Sequence, residues 1–294
     1  MSFLNGKIIK ALAGFYYVEV DGAVYECKAR GIFRKDNNKP VVGDNVEISV
    51  GAQNKGLVEK IQPRKNLIER PLVSNIDKLF IISSLGIPSP NALIIDRLCV
   101  VAEKLSVEPI IVFNKADQSD DKHWQDIYSL AGYKVIVCSA ITKDGIDAIK
   151  NELNGCISAF AGNTGVGKSS IINAVFDGLE LKTGDVSEKL GRGRHTTRHI
   201  ELIHHNLAGY VADTPGFSSL DEYAYEGMLK EDLQLYFPEF NDYFGQCKFT
   251  SCMHIGEKGC AICKAVEEQK IHKSRYESYL AMFDDLKTKK SWQI

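Results

Sequence analysis

The sequence has no apolar run approaching the ~18 residues that span a membrane. Its first residues, MSFLNGKIIK, lack the basic-then-apolar pattern of a secretory leader, so a cytoplasmic location is expected. Charge of either sign is not in excess. The 36 Lys and Arg nearly balance 38 Asp and Glu, leaving −2 over 294 residues. Bulk charge therefore does not mark a nucleic-acid binder, and only a local basic surface could serve as one. Long-period repeats and low-complexity tracts are also missing. What remains is ordinary globular material, 44% hydrophobic and 25% charged, enough for a real core. Eight cysteines in a reducing compartment argue against a disulfide framework. Four of them crowd between Cys247 and Cys263, a metal-like distribution.

Three regions follow from the hydrophobic patterning: 1–65, 66–222 and 223–294. The first reads as short strands, with Asp21-Gly22 as a hairpin signal, which suggests a small β-barrel. It holds eleven Lys/Arg against seven Asp/Glu. In the second, 77–84, 107–117, 133–140, 155–162, 199–205 and 208–216 read as strands, and helices separate several of them. That alternation means an α/β fold with a mostly parallel sheet. One helix is expected to open at Ser89-Pro90, with Ser89 as its cap and Ile94, Leu98, Val101 and Leu105 on its apolar face. The third region is helical, with Tyr276, Leu280 and Phe283 on one face of its last helix.

In such sheets ligands sit beyond the carboxyl ends of the strands, and here a chemically distinctive loop leaves several of those ends. Gly162-Asn163-Thr164-Gly165-Val166-Gly167-Lys168-Ser169-Ser170 fits G-x-x-x-x-G-K-[ST]. The glycines let backbone N–H groups turn toward phosphate oxygens, and the helix opening at Lys168 adds its positive end. Lys168 would neutralise β- and γ-phosphates and Ser169 would hold Mg²⁺. Asp213-Thr-Pro-Gly216 ends another strand. Asp213 could hold a Mg²⁺-bound water, and Gly216 lets its peptide swing toward a γ-phosphate.

Asn114-Lys115-Ala116-Asp117 resembles the guanine-specificity element of GTPases. That likeness implies that Asp117 accepts from the N1 and N2 donors of guanine and that the Lys115 stem lies along the base. Adenine offers no matching donors, so a buried Asp117 would reject it. Ser139-Ala140 looks like the backbone donor to the guanine O6. The order of these loops is permuted: the NKAD and Ser-Ala loops precede the phosphate loop, and the DTPG loop closes the domain. Circular permutation explains this, because domain termini often lie close together.

Where many GTPases place a water-orienting Gln, after the D-x-x-G glycine, this chain has Phe217. His195, in Arg192-Gly-Arg194-His195-Thr196-Thr197, is the best candidate to orient or deprotonate the water. The alternative is a basic-loop residue that touches RNA phosphate. Either Thr196 or Thr197 would close on Mg²⁺. Cys247, Cys252, His254 and Cys260 form C-x₄-C-x-H-x₅-C, suited to one structural Zn²⁺. Cys263 could replace His254, because Cys260-x-x-Cys263 is also a ligand pair. The scattered Cys27, Cys99, Cys138 and Cys156 are expected to fill core.

Taken together these motifs resemble the bacterial ribosome small-subunit-dependent GTPase A family, also called RsgA or YjeQ/YloQ, over nearly the whole chain. Pro40-Val-Val-Gly-Asp44 resembles its barrel signature, and Arg64…Asn66-Leu67…Arg70-Pro71 the approach to its GTPase domain. The resemblance implies an OB-fold at 1–65, a circularly permuted GTPase domain at 66–222 and a zinc-binding helical domain at 223–294. It also implies GTP and GDP binding, GTP hydrolysis stimulated by the small (30S) subunit, 16S rRNA contact and a role in late assembly of that subunit. A monomer is expected, with no membrane or DNA partner. Phe15, Tyr16, Tyr17, Arg30, Phe33, Arg34 and Lys35 could form an RNA-binding barrel face, unless the aromatics fill core. The competing readings are a non-catalytic GTP-gated rRNA-binding scaffold and a P-loop kinase or ATPase.

Overall fold

The computed structural model of the chain describes residues 2–35, 38–51, 53–176, 200–205, 208–213, 220 and 227–288. Its strands are β1 (Ser2–Leu12), β2 (Phe15–Val20), β3 (Ala23–Ala29), β4 (Asn45–Val50), β5 (Lys55–Ile61), β6 (Leu67–Glu69), β7 (Leu72–Ser74), β8 (Lys78–Ser84), β9 (Glu108–Asn114), β10 (Lys134–Val137), β11 (Ile157–Ala161), β12 (Glu201–His205) and β13 (Gly209–Asp213). The helices are α1 (Ile32–Lys35), α2 (Ala92–Lys104), α3 (His123–Leu130), α4 (Ile146–Leu153), α5 (Lys168–Val175), α6 (Ala261–Glu267) and α7 (Lys273–Thr288).

The first five strands pair in the order β1-β2-β3-β5-β4, and β4 returns to β1, which closes an OB-like barrel. Asp21 and Gly22 both have positive φ at the β2–β3 turn, as the Asp-Gly hairpin signal predicts. The barrel is continuous with the second sheet through β1 and β12, where Lys10 faces Glu201 and the two side chains pair at 2.9 Å. Phe33 lies in the core and Tyr16 packs against it. Phe15 and Tyr17 stay half-buried, so the aromatics divide between filling the barrel and facing outward.

The second sheet runs β10-β9-β8-β11-β13-β12, parallel except for β12. Alternation along β8 sends Leu79 and Ile81 into one core and Phe80 and Ile82 into the other. Both faces are covered, so these strands read as unbroken apolar runs. Helix α2 opens at Ala92, not at the expected Ser89-Pro90. Asn91 is its cap, with Oδ1 accepting from Ile94 N at 3.2 Å. Ser89 precedes a proline, which biases it toward extended backbone.

Two buried charge networks tie the ends of the chain to this sheet. At the barrel, the buried Asp44 accepts from Arg64 Nε at 2.7 Å, Ser74 Oγ at 2.6 Å and its own loop's Val41 N at 2.8 Å. Gly43, at φ 93°, lies so close to Ser74 O that no Cβ would fit. The PVVGD segment is thus a clasp between the barrel and the β6–β7 hairpin. At the other end, Arg275 of α7 is fully buried and donates to Asp96 of α2 at 2.6 Å and to Glu239 at 2.7 Å. Its guanidinium also lies 4.7 Å from the Phe237 ring centre and 5.3 Å from that of Tyr133. Burial pulls this guanidinium down, but Asp96 and Glu239 more than reverse it and hold it well above its ordinary value. The buried face of α7 is therefore Arg275, Ser278, Tyr279, Met282, Phe283 and Leu286. Tyr276 and Leu280, expected inside, are only half-buried, because a cation occupies the seam that apolar periodicity assigns to them.

Arg275→Met should lower unfolding free energy by about 3–5 kcal/mol at pH 7, since it strands two buried carboxylates. Without the cation, burial alone lifts Asp96, whose carboxyl it already pushes up against the pull of Arg275. A raised folded-state pKa favours folding as pH falls, so urea denaturation should show a smaller loss at pH 5 than at pH 7.

Candidate nucleotide site and metal centre

Strands β8, β9, β10, β11 and β13 all present their carboxyl ends on one edge, and every singled-out loop that is described leaves that edge. The phosphate-type loop follows β11, whose five residues are all buried. Gly162, Gly165 and Gly167 have φ of 137°, 83° and 95°, the region where a side chain is strained. A Cβ on Gly162 would strike Ile82 O, and one on Gly167 would strike the Asn114 amide. Asn163, Thr164 and Gly165 are exposed, while Val166 anchors the loop in the core. Helix α5 begins at Lys168, with Ser169 and Ser170 in its first turn. Lys168 Nζ lies over the loop, donating to Gly162 O at 2.7 Å and Asn163 O at 2.8 Å.

The NKAD loop reaches the same place from β9. Buried Asn114 donates through Nδ2 to Val166 O at 3.0 Å, and its Oδ1 accepts from Ala140 N at 3.1 Å. One amide thus joins the phosphate-type loop to the Ser139-Ala140 loop. Lys115 is left-handed, at φ 64°, and its Nζ donates to Gly165 O at 2.8 Å and to Ile87 O. Ala116 N donates to Cys138 O at 3.0 Å. Asp117 Oδ1 accepts from Ser139 Oγ at 2.5 Å, and that hydroxyl accepts from Ile141 N and Thr142 N. Asp117 is exposed, not buried, so a bound base would itself have to supply the cover that discrimination needs. The Ala140 N–H offered to a base carbonyl is already taken by Asn114, and a base would have to share it.

Asp213 is the last residue of β13 and pairs with Glu201. Gly216, Phe217, His195, Thr196 and Thr197 lie outside the described residues, as do the side chains of Asp213, Arg34 and Lys35. Sequence reading missed the loop after β8. Ile87 accepts from Lys115, and a Cβ on Gly86 would strike Gln118. The signal was available, since β8 is a parallel strand whose carboxyl end reaches the same edge.

In the C-terminal region Cys247, Cys252, His254 and Cys260 each bring one donor atom within 4.8 Å of the others. Cys247 Sγ is 3.6 Å from His254 Nδ1 and 4.0 Å from Cys260 Sγ, and His254 Nδ1 is 3.3 Å from Cys260 Sγ. A tetrahedral ion with bonds of about 2.3 Å needs donor separations of about 3.8 Å. The residues therefore fit a metal ion. Buried His254 has its pKa lowered by desolvation, which favours the neutral imidazole a metal needs. Its Nε2 lies 2.9 Å from Gln234 Oε1; a proton on Nε2 frees Nδ1 for the cluster. The amides of Ala261 and Cys263 point at Cys247 Sγ and Cys260 Sγ. Cys263 stands outside the group and contacts Tyr276 Oη at 3.2 Å. Of the remaining cysteines, Cys27, Cys99 and Cys138 are fully buried; burial pushes the Cys138 thiol up to about 12. Cys156 is only half-buried.

The sequence pattern of the RsgA GTPase family matches residues 61–223, and that of the RsgA N-terminal domain matches residues 5–58. A protein of Caldanaerobacter subterraneus subsp. tengcongensis called small ribosomal subunit biogenesis GTPase RsgA is 42% identical over 98% of each chain. A Geobacillus protein of the same name is 44% identical over 97% of this chain and 98% of its own. The crystal structure of YjeQ from Thermotoga maritima has a TM-score of 0.85 at 35% identity, covering 98% of this chain and 100% of that one. YloQ, a circularly permuted GTPase, has a TM-score of 0.83 at 33% identity, covering 98% of this chain and 96% of its own. Loops in permuted order around one sheet edge, an OB-like barrel ahead of them and full-length kinship agree: the chain belongs to the RsgA GTPase family.

Proposed function

We propose that this chain is a cytoplasmic GTPase that binds the small (30S) ribosomal subunit, contacts 16S rRNA and acts in late maturation of that subunit. The observation that carries the nucleotide half is the Asn114 amide, which fastens a phosphate-type loop to a base-type loop at one sheet edge. The ribosomal half rests on relatives named for small-subunit biogenesis. Residues 1–65 serve as the RNA-binding OB-fold, 66–222 as the permuted GTPase domain and 223–294 as the zinc-binding domain. The protein acts as a monomer, with no DNA or membrane partner.

In this reading the N–H groups of Asn163–Ser169 cradle the phosphates, Lys168 leaves its loop carbonyls for the β- and γ-oxygens, and Ser169 and Asp213 hold Mg²⁺ and its water. Asp117 receives the guanine N1 and N2 protons with its carboxylate rotation fixed by Ser139. Lys115, braced on Gly165 O, presents its stem to the base. Gly216 follows the γ-phosphate. His195 orients the attacking water where Phe217 cannot, and the basic loop around it responds to rRNA. Cys247, Cys252, His254 and Cys260 would hold one structural Zn²⁺, which would supply cross-linking of this region rather than chemistry on a substrate.

Phosphate release should be slow for the protein alone, faster with small subunits and unchanged by large subunits. No turnover with small subunits would leave a GTP-gated scaffold instead. His195→Ala should cut subunit-stimulated turnover about 100-fold or more while GTP affinity holds; unchanged stimulated turnover would remove His195 from the reaction. The protein should carry one zinc, retained in Cys263→Ser. Gln234→Ala, which frees the His254 ring, should weaken zinc about 10- to 100-fold in a chelator competition.

A further inference from the structure

Cys263 takes no part in the function proposed above, yet it sits beside the metal cluster. It lies in the first turn of α6, three residues after Cys260, and its N–H points at Cys260 Sγ, 3.5 Å away. A disulfide spans Cα atoms about 4.4–6.8 Å apart with somewhat closer Cβ atoms. Cys260 is the cap residue, in extended backbone at φ −72° and ψ 125°. Because Cys260 stands outside the helix, its backbone can shift to bring the two Cβ atoms within disulfide reach without unwinding α6.

The hydrogen bonds around Cys263 fix its form. Tyr276 has one hydroxyl proton, which it gives to His254 O at 2.8 Å. In the 3.2 Å contact between Cys263 Sγ and Tyr276 Oη, the thiol must then be the donor. Cys263 is a half-buried thiol, more open than the buried Cys252 and Cys260. Cys27 in β3, Cys99 in α2 and Cys138 just after β10 are fully buried, so Cys263 is the spare thiol at the cluster among the described residues.

We propose that Cys260 and Cys263 form a peroxide-sensitive disulfide switch that releases the metal. The proposal rests on the zinc reading. Hydrogen peroxide is the oxidant. Cys263 first gives its thiol proton to water; its thiolate then attacks the peroxide, an S–O bond forms as the O–O bond breaks, and the departing hydroxide takes up a proton to leave as water. The Cys260 thiolate then attacks the Cys263 sulfur; the S–S bond forms, the S–O bond breaks and hydroxide leaves. Both sulfurs are oxidised by one electron equivalent each and the peroxide is reduced. The cluster loses one of four donors, and three hold the ion far less well. A dithiol reductant with added zinc reverses the change.

The test uses the full-length zinc-loaded protein, with zinc measured before oxidation. Stoichiometric hydrogen peroxide is added, zinc release is followed with a chromogenic chelator, and cysteine-containing peptides are mapped by mass spectrometry. Zinc release should accompany a Cys260–Cys263 cross-link about 2 Da lighter than the reduced pair. Reductant with zinc should restore both. Cys263→Ser, still zinc-loaded, should release zinc at least about tenfold more slowly. Equal release rates in the variant, or wild-type zinc loss with no Cys260–Cys263 cross-link, would overturn the switch. Protein without zinc at the outset would refute the zinc reading instead, while peptide mapping still decides whether the pair forms.

Discussion

The nucleotide edge depends on one side chain that is donor and acceptor at once. Asn114 gives a proton to Val166 O and takes one from Ala140 N, joining segments 52 and 26 residues away along the chain. A carboxylate of the same shape could do only the second. The link is buried, so leaving either partner unpaired is costly. It also dictates its neighbour: Gly167 must lack a Cβ because the amide occupies that space. The link is non-covalent, so it is indifferent to which loop comes first in the sequence. A permuted chain can therefore keep the same edge.

Buried charge does the corresponding work at the two ends of the chain. Asp44 and Arg64 clasp the barrel to the segment that leads into the parallel sheet. Arg275 fastens the last helix to Asp96 of α2 and to Glu239. Helix α2 begins just after the loop whose Ile87 accepts from Lys115, so one helix touches the nucleotide edge at its start and the C-terminal region along its flank. Such pairs are poor sources of net stability, since desolvation offsets most of their attraction, but they penalise wrong arrangements strongly. Their value here is in fixing which surfaces meet.

Much of this was legible in the sequence because it is local. Apolar runs gave the parallel strands, glycine spacing gave the phosphate-type loop, and Cys/His spacing gave the metal cluster. Long-range partners were not legible. Nothing in the periodicity of α7 says that Arg275 faces inward, because the acids that accept it lie 179 and 36 residues away. Gln234 gave no signal for the same reason: its imidazole partner is 20 residues on. The cap of α2 was misplaced by two residues because Ser89-Pro90 and Asn91 both carry start signals, and only the hydrogen bond to Ile94 separates them. Asp117 looked buried by its expected duty, whereas the folded chain leaves it open.

The most direct test of the Asn114 link is calorimetric titration of GDP into the wild-type protein and Asn114→Ala. Losing a buried donor and a buried acceptor, at about 1–3 kcal/mol each, should weaken GDP binding at least about tenfold. The zinc content of the variant should be unchanged. A folded Asn114→Ala protein that binds GDP as tightly as wild type would contradict the account, and so would a wild-type protein that does not bind GDP.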